Sequence, residues 1–213
     1  EQTSGVSFSA SEKLTIAQLL LTELKVDRIE IASARVSDGE FQAVKKITEW
    51  AAIHGYLNKV EVLTFVDGGT SVDWMISSGA KVMNLLTKGS LNHLKHQLKK
   101  SPEQHFSEIA ESIHLAVSKG LEVNVYLEDW SNGMRNSKEY VIDYLDFIQH
   151  LPIKRILLPD TLGVLIPSEV AAFISELVQR YPKIHFDFHA HNDYDLGTAN
   201  ALEAVRNGVH GLH

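Results

Sequence analysis

No cysteine occurs in the 213 residues. That excludes disulfides and thiolate metal sites within this stretch, and it fits a reducing compartment, so the expected location is the cytoplasm. An excess of positive charge is missing too. With a formal net charge of −7 and no basic stripe to offset it, a nucleic-acid surface is not expected. No apolar run is long enough to span a bilayer and no signal peptide is visible, so no membrane partner is expected either. No Gly-x-Gly-x-x-Gly turn follows a strand-like run, which weakens any reading as a dinucleotide-binding sheet.

What is present is an ordinary globular composition. At 44% hydrophobic and 22% charged, the chain can bury a real core, and its length suits one large α/β domain or two small ones. Histidine is abundant, at eleven. His54, His93, His96, His105, His114 and His150 fall in helical or loop stretches without partner spacing, and each reads as a surface residue.

Periodicity gives the order of elements. A helix is predicted at about 11–24, with Ser11 as its N-cap, followed by a strand at 27–33 and a helix at 39–54. Next come a strand at 59–66, a short helix at 71–78, a strand at 81–87, and helices near 90–99 and 102–119 that stop at Gly120. A strand at 122–128, a helix at 138–150, a strand at 155–158 and a helix at 167–181 with proline in its first turn complete the middle. The run Lys183 to His191 is a strand, 196–207 a helix, and Gly208 to His213 the start of another strand. Strands and helices alternate with a repeat of roughly 30 residues, the mark of parallel βα units. Six whole strands, one cut and one implied ahead of the first helix add to eight, so the predicted fold is α/β, a (β/α)8 TIM barrel incomplete at both ends. It is read as a single partial catalytic domain over 1–213; an open doubly wound sheet remains the alternative.

The strand Lys183–His191 alternates strictly, so His185, Asp187, His189 and His191 share one face and Phe186, Phe188 and Ala190 the other. His189 and His191 thus sit one pleat apart at the strand's C-terminal end, where parallel α/β folds do their chemistry. By spacing alone His-x-His is more often a surface pair. The core-like run, the functional end and the following Asn192-Asp193 turn the reading toward a metal site. The other strand ends offer Asn124, Tyr126 and Glu128 on one face, Leu63, Leu86, Asp160, Thr161 and, within the first strand, Glu30. Lys88 has two readings, a Schiff-base lysine or a solvated loop residue. Tyr126 and Leu86 can be read as barrel filling, Glu128 as a surface residue, and Pro159-Asp-Thr-Leu-Gly163 as a helix-entry turn.

Three motifs, Glu1-Gln-Thr-x-Gly-Val-Ser-Phe-Ser, Leu158-Pro-Asp-Thr-Leu-Gly163 and His189-x-His-Asn-Asp193, resemble the barrel of the metal-dependent acyl-CoA Claisen synthases. That family includes 2-isopropylmalate, citramalate and homocitrate synthases, with 3-hydroxy-3-methylglutaryl-CoA lyase more distant. Arg35-Val-Ser, Leu86-Thr-Lys-Gly-Ser and Tyr126-Leu-Glu-Asp-Trp-Ser-Asn-Gly are most similar to the citramalate branch. The resemblance implies condensation of acetyl-CoA, as co-substrate, with a 2-oxo acid in branched-chain amino-acid biosynthesis. It implies His189 and His191 as ligands of a divalent metal (Mn²⁺, Mg²⁺ or Zn²⁺) and Glu128 as the acid–base carboxylate. It implies Thr161 as the hydroxyl holding the 2-oxo acid carboxylate, Leu63, Leu86 and Tyr126 as the wall around its side chain, and Glu30 as a supporting carboxylate. Isopropylmalate synthases resemble this chain but have His at the position of Leu86 and Ser at that of Tyr126. The bulkier Tyr126 ring therefore favours pyruvate over 2-oxoisovalerate.

The same resemblance implies a homodimer, feedback by leucine or isoleucine, an Arg-Asp-Gly motif ahead of Glu1 and an Asn ligand after His213. Without those flanking motifs the stretch alone is expected to bind metal weakly and to be inactive. Three other functions stay open: a related acyl-CoA lyase, disfavoured because the lyases carry His-x-His-Asp where this chain has His189-Ala-His-Asn-Asp193; a Lys88-dependent aldolase; and a non-catalytic barrel.

Overall fold

The computed structural model describes residues 4–31 and 37–213; Glu1 to Thr3 of the opening motif, and Arg35 and Val36, lie outside the described residues. The strands neighbour one another in chain order, from first to seventh, and the first and second, and the fourth through seventh, pair in parallel. A doubly wound sheet reverses its order at a switch point, whereas a (β/α)8 barrel does not. The fold is therefore the incomplete barrel, not the open sheet. No helix among the described residues is long and apolar enough to cross a membrane. The chain divides into two compact units, Glu1–Leu85 with His114–Val123, and Leu86–Ile113 with Asn124–His213.

The first unit contains α1 (Ala10–Thr22), β1 (Ile29–Ile31), α2 (Asp38–His54), β2 (Val60–Phe65) and α3 (Thr70–Ser78), and then the first part of β3 (Val82–Lys88). Ser9, not Ser11, caps α1. Its hydroxyl accepts from Glu12 N–H, while the Glu12 carboxylate accepts from Ser9 N–H, so two of the orphan donors at the helix start are met. Ser37 caps α2 with a single bond, its hydroxyl accepting from Glu40 N–H at 3.2 Å, and Gly55 ends the helix at φ 77°. Ala17, Leu21, Ile29, Ile47, Ala51 and Val60 form the core beneath these helices.

The second unit carries the rest of β3, then α4 (Leu91–His93), which runs on as a π-helical turn over Leu94–Leu98, and the start of α5 (Pro102–Ser118). It continues with β4 (Glu122–Glu128), α6 (Trp130–Asn136), α7 (Lys138–Ile148), β5 (Ile156–Asp160), α8 (Pro167–Arg180), β6 (Phe186–Ala190), α9 (Gly197–Arg206) and β7 (Gly211–Leu212). The α6 segment has no counterpart in the sequence reading. Pro159 and Asp160 belong to β5 rather than to a helix-entry turn, paired with His189 and Ala190 of β6. Phe186 and Phe188 are fully buried, and the Trp130 ring meets Phe188 edge-on at 6.3 Å. That burial fixes the register of β6 and sends His189 to the opposite face, because a slip of one residue would exchange the two.

Candidate active site

In the second unit the strand ends converge on a small set of polar side chains. Tyr126 and Glu128 lie on one face of β4, two residues apart. His189 is the penultimate residue of β6 and His191 follows the strand. The two imidazole centroids are 5.0 Å apart. The Tyr126 ring meets His189 edge-on at 5.9 Å, and its hydroxyl lies 3.0 Å from Nδ1 of His213. His189 Nδ1 lies 2.7 Å from that same His213 nitrogen, so one ring donates a proton and the other offers a lone pair. Burial, then the neighbouring His213 and His191, push the His189 pKa down to about 4; burial also lowers that of His213. Neutral imidazoles have the lone pairs a cation needs.

Thr161 follows β5, and its Oγ1 accepts the backbone N–H of Asp129 at 2.8 Å. That bond leaves the Thr161 hydroxyl proton to donate to a ligand oxygen. Asp129 adopts a left-handed φ of 65°, which aspartate tolerates better than most side chains. Its fully buried carboxylate accepts from Ser90 Oγ at 2.6 Å and Asn132 Nδ2 at 2.8 Å, and His93 Nε2 lies 3.4 Å away. Sequence reasoning missed this anchor, which joins the ends of β3, β4 and β5. Its only local trace is an aspartate directly after Glu128.

Lys88 is not a solvated loop residue: it ends β3 and forms an ion pair with Glu128. Glu128 is likewise half-buried in that pair rather than loose on the surface. Leu86 is half-buried two residues earlier. Glu30 and Leu63 belong to the other compact unit. There Glu30 accepts from Asn84 Nδ2, which also donates to Glu61 at 2.9 Å, and Leu63 is half-buried on β2.

Two of the histidines expected on the surface are not there. His93 packs against Asp129, and His105 is 1% exposed with Nε2 accepting the Lys88 N–H at 3.2 Å. Burial, followed by the positive charge of Lys100, pushes the His105 pKa down to about 4 from 6.5. Between those values the unfolded chain binds a proton that the folded chain refuses, so stability falls as pH drops from 6.5 toward 4 and is indifferent to this group above 6.5. The gap corresponds to about 3 kcal/mol at its full extent. Urea unfolding at pH 7 and pH 4.5 is expected to show wild type losing more stability than His105→Gln; equal losses would contradict the burial of a neutral His105.

Among the described residues no group of three or more His, Cys, Asp or Glu side chains is arranged to hold a metal ion. The pair His189 and His191 nonetheless fits part of such a set, as two imidazoles side by side, suited to Mn²⁺, Zn²⁺ or Mg²⁺ when oxygen ligands complete it.

The HMGL-like family model matches residues 1–213. A 2-isopropylmalate synthase of Sulfurisphaera tokodaii is 32% identical over 214 residues, covering 100% of this chain and 53% of that protein. A homocitrate synthase of Saccharolobus islandicus is 30% identical over 219 residues, covering 100% of this chain and 45% of that protein. The chain thus spans about half the length of the curated relatives it matches. Among solved structures, an HMG-CoA lyase of Bacillus subtilis superposes with a TM-score of 0.76 at 18% identity, over 98% of this chain and 70% of that one, which is a likeness of fold.

Proposed function

Because the chain belongs to the HMGL-like family, we propose that it is the catalytic barrel of an enzyme that condenses acetyl-CoA with a 2-oxo acid, with pyruvate preferred. What supports this reading is the gathering, in one compact unit, of Glu128, Tyr126, the Asp129-tethered Thr161 and the His189–His191 pair at the ends of neighbouring strands. The relatives named as 2-isopropylmalate and homocitrate synthases support the reaction class.

The reaction needs a base for a methyl proton of acetyl-CoA, attack of that carbon on the ketone, and hydrolysis of the thioester. The products are CoA and a 2-hydroxy dicarboxylate. Glu128 is assigned the proton. Thr161, whose oxygen already accepts from Asp129, donates its hydroxyl proton to the substrate carboxylate. His189 and His191 are assigned to a divalent cation, which when bound supplies Lewis-acid polarisation of the ketone. The Tyr126 ring, 5% exposed and tethered through its hydroxyl, takes up volume beside the histidines and, with Leu86, walls the 2-oxo acid side chain.

The second reading, 2-oxoisovalerate as acceptor, is favoured by the 32% identical isopropylmalate synthase. Steady-state release of the CoA thiol decides between them. With a divalent cation and acetyl-CoA, pyruvate is expected to give the higher kcat/KM. Replacing Tyr126→Ser should move the ratio toward 2-oxoisovalerate by at least about tenfold, since each methylene accommodated is worth about 1–3 kcal/mol. A wild-type preference for 2-oxoisovalerate reverses the assignment of acceptor. Absence of 2-oxo-acid-dependent thiol release from the whole protein, of which this stretch is read as the barrel, overturns the reaction class.

A further inference from the structure

Lys88 is held more firmly than an ordinary lysine at a strand end, which keeps its ammonium in water. Its Nζ is ion-paired with Oε2 of Glu128, and the two side chains are 13% and 24% exposed. Its backbone is clamped as well. The N–H donates to Nε2 of His105 at 3.2 Å, and the carbonyl accepts the Tyr140 hydroxyl at 2.8 Å. Burial lowers the His105 pKa to about 4 and raises that of Tyr140, so near neutral pH the imidazole remains an acceptor and the phenol a donor.

The flanking residues are tied to β4 itself. Thr87 Oγ1 donates to the Tyr126 carbonyl at 2.7 Å, and Gly89 N–H donates to the Glu128 carbonyl at 2.7 Å. A Cβ on Gly89 would lie 2.6 Å from the Leu127 carbonyl oxygen, and one on Gly133 would lie 2.0 Å from the Gly89 carbonyl oxygen. No side chain fits at either place, so the exit of β3 packs directly on the backbone that carries Glu128. These anchors fix both ends of the ion pair relative to each other. Only Oε2 of the carboxylate is engaged by Lys88.

We propose that Lys88 is a positioning residue for the condensation: its ammonium holds the Glu128 carboxylate in the orientation from which that group exchanges the methyl proton of acetyl-CoA. The inference rests on the reading of Glu128 as the acid–base group. Misplacing a reacting group by about 1 Å can cost about 100-fold in rate, and Lys88→Met is therefore expected to lower kcat by about 10- to 100-fold. KM for the 2-oxo acid, and its affinity by calorimetry, should stay close to wild type, because Lys88 does not hold that substrate.

Kinetics of the cation-loaded whole protein test this. Lys88→Arg should recover part of kcat. Lys88→Cys followed by 2-bromoethylamine should recover more, because the thioether formed with loss of bromide carries an ammonium at nearly the original reach. This stretch has no cysteine of its own, and wild type treated identically controls for thiols elsewhere. In a Glu128→Gln background, Lys88→Met should add no further loss. A Lys88→Met enzyme with wild-type kcat overturns the inference alone, provided Glu128→Gln is impaired. So does a loss that neither the arginine nor the aminoethylated variant recovers in protein of unchanged circular dichroism. Wild-type turnover in Glu128→Gln overturns the reading of Glu128 beneath it.

Discussion

Glu128→Gln is expected to lower kcat by about 10²–10⁴-fold, the usual contribution of a positioned acid–base group, with KM for the 2-oxo acid within about threefold. Glutamine is the informative replacement because of Lys88. Alanine would strand an ammonium that is only 13% exposed, and the variant would lose stability for a reason unrelated to catalysis. The glutamine carbonyl still accepts from Lys88, so the ammonium keeps a hydrogen-bond partner and is not stranded. Loss of kcat without loss of melting temperature therefore isolates the proton transfer. Steady-state kinetics beside calorimetric melting makes the comparison, and turnover within about threefold of wild type would remove Glu128 from the chemistry.

Replacing both His189 and His191 by alanine is expected to abolish cation-dependent activity. It should also weaken Mn²⁺ binding, measured by equilibrium dialysis, by more than the 10–100-fold typical of losing an outer-shell partner. The pair is suited to the task because His189 is neutral at ordinary pH and its ring stands 5.0 Å from that of His191. Both side chains lie at a strand end and not in the core beneath, where Phe186 and Phe188 are buried, so the fold should survive the change. A chelator should abolish wild-type activity, and Mn²⁺, Mg²⁺ or Zn²⁺ should restore it. Unchanged Mn²⁺ affinity in the double variant would show that the cation sits elsewhere.

How much of this was legible beforehand depended on whether the signal was local. The β4 bounds match the sequence reading because an apolar run ends there between Gly120 and the polar Asp129. The facing of His189 followed from the alternation with Phe186 and Phe188. The α6 segment was missed because Trp-Ser-Asn-Gly-Met-Arg-Asn contains few good helix formers. It forms because Trp130, Ser131, Gly133 and Met134 are buried, with Gly133 against the Gly89 carbonyl, so packing overrides propensity. The N-cap of α1 moved from Ser11 to Ser9, two residues apart, where the Glu12 reciprocal bond decides.

The site was legible as residue types and not as partners. Lys88 and Glu128 are 40 positions apart, and Asp129 and Thr161 are 32 apart. No periodicity registers such pairs, so the sequence leaves Lys88 between a Schiff-base and a solvated-loop reading and gives Asp129 no role. His105 read as a surface residue on a polar helix start, but its ring turns inward to accept a strand-end N–H, a use of histidine that leaves no spacing pattern.

The relaxation rate of the pyruvate methyl protons in the presence of the protein and Mn²⁺ tests the central assignment most directly, because it reads the distance between substrate and cation without relying on turnover. Enhanced relaxation in wild type, lost in the His189→Ala, His191→Ala double variant and weakened in Thr161→Val, is the result expected if these strand ends hold the 2-oxo acid beside the metal. Enhancement that persists undiminished without the two imidazoles would contradict it.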